Sequence, residues 1–164
     1  MLSIKKAGIA DIQLIRDLTM QVWPHTYTPI VGPEQVAYMI GLFYSPAALK
    51  KQMEELHHRF IICYDDQEPV GFASYGAVEP TIFKLHKLYV LPQLQGKGIG
   101  MFMINYIACE LENEGIRALR LNVNRYNASS IAFYEKTGFK HFIEEDIDIG
   151  NGYFMNDHVF ELQL

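Results

Sequence analysis

The chain has 164 residues, of which 49% are hydrophobic and 20% charged, and its formal net charge is −5. That length suits one domain with its own core, and that composition excludes a disordered or fibrous chain. The acidic balance speaks against nucleic acid as the main partner and favours a cationic ligand such as an amine.

The opening "MLSIKKAGIADIQ" has no long apolar core, so no signal peptide is expected. Ser3 to Lys6 reads as a first strand. Ile12, Ile15, Leu18 and Val22 recur at helical spacing, so a helix is expected over 11–22. The stretch "WPHTYTPIVGPEQ" then interrupts it with three prolines and a glycine. Pro33 opens a second helix to about Phe43, and Ser45 with Pro46 caps a third that ends near His57. Arg59 to Tyr64 and Val70 to Val78 form a hairpin about "DDQEP", and Ile82 to Leu91 is another strand. A glycine turn leads into a helix stopped by Gly115. "RALRLNVN" alternates as a half-buried strand, and Asn127 caps a helix that Gly138 ends. Residues 139–149 and 153–162 form a last hairpin around "GNG". The order gives one α/β (α+β) domain, residues 1–164, with a mixed, largely antiparallel sheet. No run of about 18 apolar residues is present to span a membrane. Cys63 and Cys109 lie far apart without metal-ligand spacing and read as two buried, reduced thiols of a cytoplasmic protein; no metal is expected.

Gly96, Gly98 and Gly100 stand directly before a helical pattern, with Lys97 among them. The first N–H groups of a helix lack internal partners, and the macrodipole adds about half a positive charge there. Removing side chains lets an anion approach those groups, so the unit suits phosphate or diphosphate. The spacing is not Walker A, because Gly98 rather than Ser or Thr follows Lys97. Nor is it G-x-G-x-x-G, because Met101 or Met103 falls at the third place. Taken alone, the glycines fit a simple packing turn equally well.

Gln95-x-x-Gly98-x-Gly100 after "KLYVLP" resembles the acetyl-CoA signature of the GNAT superfamily of N-acetyltransferases. "NRYNASSIAFYEKTGF" resembles its second block, with Asn127, Ala132, Tyr134, Gly138 and Phe139 at matching places and Phe133 directly before the tyrosine. The resemblance implies a single-domain fold with a mixed, mostly antiparallel central sheet flanked by helices, whose splayed strands bind acetyl-CoA. It implies that the backbone of Leu88, Tyr89 and Val90 holds the pantetheine arm. It places Gln95, Gly96, Lys97, Gly98, Ile99 and Gly100 around the diphosphate, with Asn127, Tyr134 and Lys136 also at the coenzyme.

By the same resemblance Tyr134 is the catalytic acid that protonates the departing thiolate. A thiol near pKa 8.5 and a phenol near 10 differ by about 1.5 units, roughly 2 kcal/mol, which is small beside a chemical barrier. The acceptor amine must lose a proton before it attacks. The family often carries a glutamate on the strand before the turn, but here that strand reads Lys84, Leu85, His86, Lys87, Leu88. His86 shares a face with Lys84 and titrates in the right range, so it is a candidate catalytic base; Glu79 and a water chain stay open as alternatives.

The family's acceptor wall corresponds to residues 23–43 and 144–157. Trp23, Tyr27 and Tyr38 are the candidate substrate-binding aromatics of the first segment, and the second holds Glu144, Glu145, Asp146, Asp148 and Asp157. "VWPHTYTPIVGPEQVAYMI" and "IGNGYFMNDHVFEL" are more loosely similar to bacterial spermidine/spermine N-acetyltransferases. The implied activity is acetyl transfer from acetyl-CoA to a primary amine, either a small polyamine-like molecule or a peptide, in a homodimer. A non-catalytic acyl-CoA-binding module is the rival reading.

Overall fold

A computed structural model describes residues 1–164. Its strands are β1 (Leu2–Ala7), β2 (Arg59–Asp65), β3 (Glu68–Glu79), β4 (Ile82–Val90), β5 (Ala118–Asn124), β6 (Lys140–Gly150) and β7 (Tyr153–Gln163). Its helices are α1 (Ile12–Val31), α2 (Pro33–Tyr44), α3 (Pro46–Glu54), α4 (Ile99–Asn113) and α5 (Ala128–Lys136). The strands are hydrogen-bonded in the order β1-β2-β3-β4-β5-β7-β6. β4 and β5 run parallel, while β1–β2, β2–β3, β5–β7 and β6–β7 are antiparallel, the mixed sheet the sequence predicts. No helix is long and apolar enough to cross a membrane. The chain forms two compact units, Met1–Gly76 with Lys87–Tyr106, and Ala77–His86 with Ile107–Leu164.

In the first unit, Phe60, Ile61, Ile62 and Cys63 of β2 and Val70, Phe72, Ala73 and Tyr75 of β3 are all buried. These runs lack period-two alternation because both faces of the strands are covered. α1 turns Ile15, Leu18 and Val22 inward, each burial favouring the fold by about 1.5–3 kcal/mol. The sequence predicts that α1 ends at Val22, before the prolines. It instead continues through Pro24 and Pro29 to Val31. The carbonyls those prolines leave without donors belong to Met20 and His25, both on exposed residues where water can replace the lost bond. Packing on the other side compensates: Trp23 lies 4.4 Å from Tyr27 and 5.4 Å from Tyr44, ring centre to ring centre. Gly32, at φ +85°, ends the helix, and Pro33 opens α2 as expected. Ser45 caps α3, its hydroxyl accepting from the Ala48 N–H at 3.1 Å.

In the second unit, Leu119, Leu121 and Val123 of β5 are buried, and Phe139, Val159 and Phe160 join them in the core. β6 and β7 form the expected hairpin, turning at Gly150, Asn151 and Gly152, all with positive φ. The cysteines correct one expectation: Cys63 is buried but Cys109 is exposed on α4. Burial pushes the Cys63 thiol up to about 11, which keeps it protonated and inert.

Candidate functional site

The first unit holds a strand end, a turn and a helix start. β4 lies so near β3 that a Cβ at Gly71 would sit 2.5 Å from the Tyr89 carbonyl oxygen and 3.3 Å from the Val90 Cα. Glycine at 71 is thus what lets the Leu88–Val90 backbone take its course. The Leu91 N–H donates to the Val70 carbonyl at 3.0 Å and anchors the strand's exit. A short 3-10 turn, Pro92–Leu94, follows, and the Gln95 side chain folds back to donate to the Val90 carbonyl at 3.2 Å. Gln95 therefore braces the turn.

Gly96 and Gly98 have φ of +78° and +82°, a region that L side chains rarely adopt, and a Cβ at either would meet nothing within 4 Å. The protein needs glycine there for backbone conformation and leaves the space above it open. α4 begins at Ile99, and the Phe102 N–H makes its first helical bond, to the Gly98 carbonyl at 3.0 Å. The N–H groups of Ile99, Gly100 and Met101 precede that bond and have no partner within the helix. Lys97 is exposed beside them.

Behind this edge stands an aromatic cluster. The Tyr89 ring lies 6.0 Å from Trp23, 6.5 Å from Tyr27 and 5.6 Å from Phe72. Burial pushes the phenols of Tyr44 and Tyr89 well above their ordinary range, so both stay neutral. Trp23, expected among the substrate-binding residues, is only 5% exposed, and its indole N–H donates to the Tyr44 hydroxyl at 3.2 Å; its place is the core. Tyr27 and Tyr38 are half-buried. Lys87 is buried, donates to Gln52 Oε1 at 2.9 Å, and lies 4.9 Å over the Tyr44 ring.

The second unit carries, within itself, a polar sheet face. The parallel register of β4 with β5 runs from Ile82↔Ala118 to Leu85↔Leu121, while β4 continues to Val90 and β5 to Asn124. His86, half-buried, is the first residue past the paired stretch. Alternation puts Lys84 and His86 on one face, with Arg120 and Asn122 on the matching face of β5. There the Asn122 amide donates to Glu145 Oε2 at 3.0 Å and to Asp157 Oδ2 at 3.2 Å. Asp157 is 6% exposed. Burial pushes its carboxyl above the ordinary range, the Asn122 hydrogen bond and the Lys84 charge act the other way, and the charge of Glu145 adds to the rise. Arg120 ion-pairs with Glu161 at 2.6 Å and with Glu79 at 3.3 Å, so Glu79, the alternative base, already faces a guanidinium.

α5 carries the other expected residues. Asn127 is buried and its side-chain oxygen accepts from the Ser130 N–H at 3.3 Å, so it caps the helix. Tyr134 is half-buried, its ring edge-on to Phe139 at 5.6 Å. Its carbonyl accepts from the Phe139 N–H at 3.0 Å and the Thr137 hydroxyl at 2.8 Å, which fixes its position at the helix end. Lys136 is exposed in the last turn. The sequence marks Asp157 and Glu145 only as acidic residues; that both converge on Asn122 depends on contacts 35 and 23 positions apart.

Residues 15–139 match the family model described as the acetyltransferase (GNAT) family. The chain belongs to that family. The matched span contains the glycine turn, Asn127 and Tyr134, and the family uses acetyl-CoA. This GNAT chain is 27% identical over 143 residues to a spermidine N(1)-acetyltransferase of Thermoplasma acidophilum, covering 85% of this chain and 88% of that one. The PaiA N-acetyltransferase of Thermoplasma acidophilum, solved in complex with coenzyme A, superposes with a TM-score of 0.84 at 26% identity. That superposition covers 100% of this chain and 99% of the other. A ribosomal protein bS18 alanine N-acetyltransferase of Salmonella typhimurium is 38% identical over 76 residues, 45% of this chain and 49% of that one.

Proposed function

We propose that this acetyltransferase acts as one domain over 1–164 and moves acetyl from acetyl-CoA to the primary amine of a small, polyamine-like cation by direct attack. The observation that carries the reading is the bare turn at Gly96 and Gly98, opening onto unpartnered helix N–H groups just after the Leu88–Val90 edge. Those groups and Lys97 fit a diphosphate, and an open strand edge fits an amide-bearing arm. Acetyl-CoA supplies an already activated thioester, so no nucleophile from the protein is needed. His86 removes the proton from the attacking ammonium, and the Tyr134 hydroxyl donates one to the leaving sulfur. Lys136 and the Asn127 cap border the coenzyme. Asp157 and Glu145 gather two carboxylates around one neutral amide, a place that gains by receiving the acceptor's cation; Tyr27 and Tyr38, in the first unit, are acceptor-contacting aromatics on family likeness alone.

The spermidine-acetylating relative, aligned over most of both chains, supports the polyamine-like acceptor. The bS18-acetylating relative supports a peptide amine as the second reading, though it aligns over only half. Thiol release measured with spermidine, a monoamine and an alanine-initiated peptide separates them. The highest kcat/KM with spermidine is expected; equal values for spermidine and the monoamine overturn the acidic seat. Coenzyme binding without turnover of any amine leaves a binding module. His86→Ala should abolish the acid-side limb of the pH profile that a histidine base imposes; survival of that limb removes His86 from the role. A cytoplasmic homodimer is proposed on family likeness, its pairing tested by sedimentation.

A further inference from the structure

β6 carries a bulge that the acceptor chemistry does not use. Its register against β7 shifts between His141 and Ile143: His141 faces Phe160, while Ile143 already faces Val159 and Glu144 faces His158. In a regular strand, residues 141 and 144 would point to opposite faces. The extra residue re-phases the strand, so His141, Glu144 and His158 share one face. On β5 that face continues into Val123, which pairs with His158, so it is the reverse of the face holding Asn124 and Asp157. One ligand atom from each of His141, Glu144 and His158 lies within 4.8 Å of the other two.

The distances are specific. His141 Nε2 lies 3.2 Å from His158 Nδ1, and His158 Nδ1 lies 3.4 Å from Glu144 Oε1. Two ligands at 2.0–2.1 Å from a tetrahedral zinc ion are about 3.3–3.4 Å apart, the edge of that tetrahedron. His141 and Glu144 are exposed, and hydrogen bonds within the trio cannot all form at once. If His158 Nδ1 carries its one hydrogen, it can point at His141 or at Glu144 but not squarely at both. A cation between them can take one donor atom from each residue, since all three lie within 4.8 Å of one another. The Phe160 ring packs edge-on to both imidazoles, at 5.7 Å from His141 and 6.1 Å from His158, and limits their rotation. Arg125 lies 3.9 Å from Glu144, but at Oε2, leaving Oε1 toward His158, and it pairs more closely with Asp146 at 3.0 Å.

We propose that His141, Glu144 and His158 bind one first-row divalent transition metal, zinc by the donor set, with a fourth position open to water. The site clips the bulge of β6 to β7, on the hairpin that also carries Asp157 and Glu145.

The test is competition for zinc chloride between the tag-free full chain and a chromophoric chelator. Wild type should withdraw one equivalent. His141→Ala and His158→Ala should each weaken binding at least tenfold, and Glu144→Gln should weaken it measurably, while His57→Ala, at an exposed position outside the trio, should not. Far-ultraviolet circular dichroism of each variant verifies folding. Cobalt(II) bound to wild type should show the visible bands of a four-coordinate ion. Failure of wild type to withdraw zinc, or an affinity unchanged in both histidine variants, overturns the proposal.

Discussion

Gly71 and Gly98 offer the same substitution with two different physical outcomes. An alanine at 71 would place its Cβ 2.5 Å from the Tyr89 carbonyl oxygen, 3.2 Å from the Met103 methyl and 3.3 Å from the Val90 Cα. The methionine can rotate away, but the two backbone atoms can yield only if β4 shifts. Overpacking of this kind costs about 1–3 kcal/mol, and a contact with backbone puts Gly71→Ala near the upper end. For a domain of this size that cost lowers the melting temperature by about 2–4 °C per kcal/mol, roughly 6–12 °C in all. An alanine at 98 meets nothing within 4 Å but must hold φ near +82°, which costs about 1–2 kcal/mol. Its methyl occupies the space the coenzyme reading reserves for a diphosphate. Differential scanning calorimetry and coenzyme A titration should therefore rank the variants oppositely. Gly71→Ala should lose more stability, and Gly98→Ala should lose more affinity, at least tenfold. If Gly98→Ala binds coenzyme A as wild type does, the turn is only a packing device and the site assignment fails. An unchanged melting temperature for Gly71→Ala refutes the close approach of β4.

Tyr134→Phe should lower kcat about a hundredfold or more, the usual worth of a positioned general acid, with coenzyme affinity nearly unchanged in titration calorimetry; an unaltered kcat rejects the role. Asp157 titrates higher in the folded chain than its ordinary 3.8, so the folded state holds the extra proton between those two values. Wild type should therefore gain stability relative to Asp157→Asn as pH falls from neutrality through the folded value, levelling off below 3.8. A stability difference that does not change with pH contradicts the buried carboxyl. Lys87 and Gln52 meet at 2.9 Å out of water, and hydrogen bonds to charged groups are worth about 1.5–3 kcal/mol, so a double-mutant cycle on Lys87→Met and Gln52→Leu should show coupling of that order. Additive losses would mean that the two act separately.

The features legible in the sequence are those set by neighbours along the chain. Ser45 caps because its hydroxyl reaches the N–H three residues on, and Pro33 starts a helix because its fixed φ and missing N–H suit the first position. Gly96 and Gly98 announce a turn because only glycine visits their φ freely. What the sequence leaves open are features that need a distant partner. Pro24 and Pro29 ordinarily argue for a break, and the aromatic packing of Trp23 and Tyr27 overrides them. Trp23 reads equally well as a ligand platform until Tyr44 is found beneath its indole. Cys109 sits in a helix that is apolar overall, and only the packed helix shows which side faces water.

The polar clusters carry the same lesson. The sequence determined that acids are plentiful near the C-terminus and that a glycine turn precedes α4, because composition and local backbone preference are written residue by residue. It could not tell Asp157, buried beside Asn122 and Glu145, from Asp148 on the exposed edge. Nor could it bring His141 and Glu144 to one face, since period-two reading sets them apart. Sheet register and a one-residue bulge decided both, because a strand's side chains reverse face with every residue and only pairing with another strand fixes where that count begins.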